Sequence, residues 1–331
     1  MVAMIDVLSG FLIVVIIIAL GFAVGRLRLL GPSAVYTLNM FVFYLATPAL
    51  LINFLASADL GDVFGENLVI VILSSFLAGA VGYLGYRHLA RRPVPDSLVT
   101  LLACSYCNGS NLGIPIATHV LDDPTASLPV IIFQTAFYGP AVVLLLDVAT
   151  RSRKNADGDA AGDAHSRSLG PLVRELVLGV VRNPLIIAAV LGILLAVVHQ
   201  ANGFTLPSMI GEPVEMLSGA AVPVALVAFG MSMAEVTVLN RQTSPRRSVW
   251  AASLVKTVLH PLIAYVLARL LFGATGPALL AFVVVAALPT AQNVFTYASR
   301  FGTNTVLARD SGVVSTLLSI PSIAVISLLL G

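Results

Sequence analysis

The chain has 331 residues, of which 58% are hydrophobic and only 10% charged, with a formal net charge of +2. Soluble globular domains carry about 25% charged residues, so this composition excludes a chain of soluble domains and points to a multi-pass membrane protein. The two cysteines, Cys104 and Cys107, both lie in an apolar stretch and offer no disulfide framework.

A helical membrane span takes about 20 mostly apolar residues. Ten segments meet that length: 4–25, 33–57, 67–86, 97–120, 127–149, 180–200, 214–234, 248–272, 277–299 and 310–330. The first has no basic leader, only Asp6 near its start, and reads as a retained helix, not a signal peptide. The second contains Pro48 between Asn39 and Asn53. The fourth reads LLACSYCNGSNLGIPIATHV, with Asn108, Gly109, Ser110, Asn111, Gly113 and Pro115 crowding its centre. The fifth carries Gln134, Tyr138 and Pro140. Residues 150–170 are the one long polar stretch and read as a flexible cytoplasmic linker. Residues 171–182 suggest a short interfacial helix. The seventh segment holds Pro223, and the eighth holds Lys256, His260 and Pro261. The ninth reads AALPTAQNVFTYASRFG, in which Thr290, Gln292, Asn293 and Thr296 follow Pro289. Ser315, Thr316, Ser319 and Pro321 lie in the tenth.

Basic residues orient these spans. Sixteen of the 18 Lys and Arg residues fall in or beside the odd-numbered loops, while the even-numbered loops carry Asp59, Asp62, Glu66, Asp122, Asp123 and Glu212. Cytoplasmic loops hold the Lys/Arg excess, which predicts both termini outside. The prolines then reveal an internal repeat. Pro48 precedes Pro223 by 175 positions, and Pro115 precedes Pro289 by 174. Helix breaks at matching positions of two halves point to a transporter's binding site. Five spans per half is an odd number, so the halves enter the membrane in opposite senses. The expected fold is therefore an all-α membrane protein of ten transmembrane helices in a 5+5 inverted repeat. Residues 1–149 and 171–331 are the two repeats, with proline-broken helices four and nine.

Broken backbone in a membrane is tolerated only inside protein or beside water. Half-helix N-termini there suit an anion, and C-terminal carbonyls suit a cation. The candidate substrate-binding residues are Asn108, Ser110, Asn111, Gly113, Pro115, Pro289, Gln292 and Asn293. The alternative for each segment is a kinked helix whose polar side chains bind neighbouring helices. Lys256 joins the substrate set as an intramembrane cation. It reads as a counter-ion, as a tethered charge in place of a metal ion, or as a side chain snorkelling to the cytoplasmic face. His260 and Thr296 are candidates for proton or ion coupling, with a hydrogen-bonded structural histidine as the alternative for His260. Asp147 and Asp310 read as solvated or paired with basic loops, and Glu215 lies near the outer end of its span. The Cys104-Ser-Tyr-Cys107 spacing reads as small-residue packing rather than a redox or metal pair. Without an H-E-x-x-H or paired intramembrane aspartates, an enzyme is not expected, and neither a cofactor nor a metal site is.

Seven stretches resemble the auxin efflux carrier family, in its bacterial permease branch. They are FVFYLATPALL, NGSNLGIPIATHVL, VRNPLIIAAVLGILL, AAVPVALVAFGMSM, LVKTVLHPLIAYVL, LPTAQNVFTYASRFG and STLLSIPSIAV, in order along nearly the whole chain. The resemblance implies a scaffold of spans one, two, six and seven, and a transport core of spans three to five and eight to ten. It implies crossing at Pro115 and Pro289, with Asn108, Asn111 and Asn293 beside the crossover. It also implies small organic anions, mono- or dicarboxylates, moved by an elevator motion across the bacterial inner membrane, and a homodimer on the plant pattern. A large central loop and the plant Asn-Pro-Asn signature are absent, which argues against auxin as the substrate. The alternative is a sodium-coupled symporter of a larger amphipathic anion, resembling the bile-acid transporters of related fold. The partners expected are the anion and the lipid bilayer, and not nucleic acid.

Overall fold

In hydrocarbon every backbone polar group must be satisfied within the protein, and the chain answers with helices. The computed structural model describes residues 2–56, 65–156, 181–234 and 238–331, with positions 174, 177 and 178. Most of the expected linker and interfacial helix therefore lies outside the described residues. The helices are α1 (Val2–Arg26), α2 (Ala34–Leu55), α3 (Glu66–Leu89), α4 (Val94–Ser105), α5 (Ile114–Val120), α6 (Thr125–Ser152), α7 (Pro184–Asn202), α8 (Ser208–Ala234), α9 (Arg246–Phe272), α10 (Gly276–Ala287), α11 (Gln292–Phe301) and α12 (Thr305–Leu330). Seven of them, α2, α3, α6, α7, α8, α9 and α12, are long and apolar enough to cross a membrane. Among the described residues there is no strand, only an isolated antiparallel bridge between Cys107 and Thr290.

Two sets of helices pack mainly among themselves. In one, α1 lies along α8, and α2 packs on α7 and α8. Small residues let α1 and α8 approach closely. A Cβ on Gly230 would stand 2.1 Å from the Ile18 carbonyl oxygen, and one on Gly21 would stand 2.4 Å from that of Val227. In the other set, α3 packs on α4 and α9, while α12 packs on α9, α10 and α11.

The prolines behave differently from the sequence expectation. Pro48, Pro115, Pro140 and Pro261 each follow one wide π-helical turn by two residues: Val42–Ala46, Gly109–Gly113, Gln134–Tyr138 and Val255–Leu259. In each case the residue before the proline donates its N–H five residues back, to Val42, Gly109, Gln134 and Val255. The π turn absorbs the ring's clash with the carbonyl four residues earlier, so the helix continues past the proline. The carbonyl freed by Pro261 belongs to Thr257, and Ser322 Oγ donates to it at 2.5 Å. Pro223 lies inside an uninterrupted α8. Only Pro289 of the paired prolines falls in a break. The other break is at Tyr106–Asn108, upstream of Pro115.

Candidate functional site

The two breaks meet. Tyr106 turns extended at the end of α4, with ψ 105°, and Leu288 does so at the end of α10, with ψ 143°. Asn108 N–H donates to the Pro289 carbonyl at 2.7 Å, and Ala291 N–H donates to the Tyr106 carbonyl at 3.0 Å. The unwound segments thus cross antiparallel, with Cys107 opposite Thr290. Their remaining groups are claimed by side chains. With its amide nitrogen toward the Cys107 carbonyl, Gln134 makes hydrogen bonds of 2.8 Å to both backbone groups of Cys107. Thr290 N–H donates to Ser315 Oγ at 3.0 Å.

Each unwinding orphans a carbonyl one turn back. In a continuous helix the Ala103 carbonyl would accept from Cys107, and the Ala286 carbonyl from Thr290. Thr290 Oγ1 donates to Ala103 at 2.6 Å, and Lys256 Nζ donates to Ala286 at 2.7 Å. Lys256 is fully buried, and its Nζ also lies 3.1 Å from His260 Nδ1. His260 Nε2 is in turn 3.2 Å from Ser74 Oγ. Donation from Lys256 to Nδ1 leaves Nε2 as the protonated nitrogen facing Ser74. Lys256 and His260 therefore support the end of α10 and stand apart from the cavity described next.

A cavity of about 520 Å³ opens beside the crossover, between α2 and the first turns of α11. Of the predicted residues, Asn108, Ser110, Asn111, Gln292, Asn293 and Thr296 line it, while Gly113, Pro115, Pro289, Lys256 and His260 do not. Tyr36, Asn39, Gln134 and Thr135 complete its polar surface. No described lining residue carries a charge. Asn108 Oδ1 accepts from Asn111 N–H at 3.3 Å, but its Nδ2 is buried without a partner. Helix α11 begins at Gln292 with no side-chain cap; Val294 N–H turns back to the Ala291 carbonyl at 3.2 Å, which leaves the N–H groups of Gln292 and Asn293 and the positive end of the dipole for an acceptor. Pro115 cannot donate an N–H to the Asn111 carbonyl, which adds an acceptor without a helical donor.

Some polar residues have other duties. Asp310 is not solvated: it is fully buried, accepts from Leu239 N–H at 3.1 Å and pairs at 2.8 Å with Arg309, a residue counted with the loop charges that the structure places in the first turns of α12. Asp147 pairs with Arg151 at 2.7 Å. Glu215 lines a separate cavity of about 200 Å³ with Asn53 and His199. Tyr36, Tyr106 and Thr135 escaped the sequence reading, because an aromatic or a lone threonine in an apolar run carries no signal of which side it faces.

Apolar helices around a crossed, uncapped break and a polar cavity define an integral multi-pass membrane protein built for passage of a small solute. Comparison with known proteins gives the family: the chain belongs to the membrane transport protein family, that of the auxin efflux carriers, whose model matches residues 6–327. It is 27% identical over 312 residues to the "Putative malonate transporter" of Rhizobium meliloti, covering 93% of this chain and 90% of that one. It is 23% identical to auxin efflux carrier component 8 of Arabidopsis thaliana, covering 65% of this chain and 68% of the relative. The protein is a membrane transporter and not an enzyme.

Proposed function

We propose that this transporter carries a small organic anion, a mono- or dicarboxylate, across the bacterial inner membrane. The observation that carries the reading is the buried, unpartnered Nδ2 of Asn108 beside the uncapped start of α11 in one polar cavity. A carboxylate supplies the acceptor both lack, and a helix N-terminus favours negative charge. Neutral donors bind an anion with less desolvation cost than a buried cation would carry, and release it as readily as transport requires. The Rhizobium relative's name supports a carboxylate. The sodium-coupled alternative gains no support from a cavity whose described lining lacks a carboxylate.

The mechanism proposed is alternating access by an elevator motion within ten spans in a 5+5 inverted repeat. The set α1, α2, α7 and α8 serves as scaffold, and α3 to α6 with α9 to α12 serve as the moving core. The core meets the scaffold where α5 packs on α1 and where the crossover reaches α8, with Gln292 Nε2 donating to Ser232 Oγ at 3.4 Å, and this is the seam along which the core would slide. Both termini face outward on the charge pattern, and the cavity then opens toward the cytoplasm. A homodimer through the scaffold completes the proposal.

Uptake of labelled carboxylates by purified protein in liposomes tests it. Asn111→Ala and Asn293→Ala are expected to cut uptake at least tenfold while the melting temperature holds. Wild-type rates in both would remove the crossover from the mechanism.

A further inference from the structure

A second cavity, of about 300 Å³, lies on the other side of the α11 N-terminus, between α8 and α12. It shares Ala291, Gln292 and Thr296 with the larger cavity, and Arg309 is its one charged described lining residue. The guanidinium turns Nε and Nη2 to a single oxygen of Asp310, at 2.9 and 2.8 Å. Five N–H groups are available on arginine, so Nη1 and one Nη2 hydrogen remain. The side chain is 33% exposed, while that of Asp310 is fully buried. Asp310 is itself held by Leu239 N–H. The arginine is therefore fixed from behind and keeps donors for an anion in front.

We propose that Arg309 forms a second anion subsite, which takes the distal carboxylate of a dicarboxylate whose proximal carboxylate rests on the first turn of α11. This rests on the carboxylate reading above and adds what distinguishes a dianion from a monoanion. Arginine's planar fork suits a carboxylate, and its anchoring on Asp310 lowers the ordering cost of binding. The wall the two cavities share is formed by Ala291, Gln292 and Thr296, and within it the Gln292 side chain is held to Ser232 by a long 3.4 Å hydrogen bond. For one dicarboxylate to reach both, that side chain must shift. A monocarboxylate needs only the α11 turn and gains nothing from Arg309.

The test compares labelled malonate with labelled propionate, which has the same number of carbons, in liposomes containing the full chain. The double variant Arg309→Gln/Asp310→Asn removes the pair together and leaves no buried carboxylate unpaired. Malonate KM is expected to rise roughly tenfold or more, the scale of one lost charge-assisted hydrogen bond, with propionate KM within about twofold of wild type. Arg309→Lys keeps the charge without the fork and is expected to fall between. If the double variant loses its melting transition, the lysine variant decides: a rise for malonate alone supports the subsite, and equal shifts for both substrates overturn it. Unchanged malonate kinetics in the double variant overturn it too. Wild-type uptake of propionate without malonate defeats this inference and leaves the carrier reading intact. Uptake of neither, with no other carboxylate carried, defeats both.

Discussion

Replacing Thr290 by valine removes one hydroxyl and almost no volume. That hydroxyl is the donor to the Ala103 carbonyl at 2.6 Å, and Thr290 is 2% exposed. The usual helical donor, Cys107 N–H, is already engaged by Gln134. Returning it to Ala103 would mean rewinding α4 and giving up the Asn108–Pro289 and Ala291–Tyr106 bonds. The carbonyl therefore stays orphaned in apolar surroundings, at a cost of about 1–3 kcal/mol. That corresponds to roughly 5- to 150-fold in the folded ratio. Titration of purified Thr290→Val with denaturing detergent, followed by circular dichroism, should show the loss. Thr290→Ser keeps the donor and should recover most of it. Carboxylate uptake should fall with Thr290→Val, because the α11 N-terminus is held across from this bond. If valine unfolds at the wild-type detergent fraction, or serine does no better than valine, the hydroxyl does not cap α4 and the reasoning fails.

Gly230→Ala would bring a methyl to 2.1 Å from the Ile18 carbonyl oxygen. The rigid α1–α8 contact must spread, at a cost of about 1–3 kcal/mol or more; a melting temperature equal to wild type would show that the two helices separate freely. Ser322→Ala removes the donor to the Thr257 carbonyl that Pro261 leaves free, and should cost about 1 kcal/mol. In a Pro261→Ala background, where residue 261 offers its own N–H, the same change should cost clearly less. Equal losses in both backgrounds, measured by detergent titration, would sever the link between the serine and the proline.

Much of the candidate site was legible in the chain. Asn108, Ser110, Asn111, Gln292, Asn293 and Thr296 all line the cavity, because polar groups clustered in apolar runs must face protein or water. The prolines were a poorer guide. Proline forbids one hydrogen bond but does not dictate how the helix adapts, and a π turn ahead of it carries Pro48, Pro115, Pro140 and Pro261 through continuous helix. Lys256 was open among three readings, since a buried amine's duty depends on which carbonyl lies within reach. The answer, Ala286, is 30 residues away. Arg309 was counted only as a loop charge, though it faces a cavity.

By itself the sequence determined that the chain enters a membrane, that it is helical there, and which stretches are too polar to face lipid. Those properties follow from the transfer cost of each residue and from local hydrogen bonding, which adjacent residues settle among themselves. Tertiary structure alone decided that Cys107 lies opposite Thr290, that Lys256 and Thr290 close the two interrupted helices, and that Asn108 keeps a donor in reserve. Those are pairings between residues up to 187 positions apart. Their partners are chosen by which broken backbone groups the packed helices leave within reach.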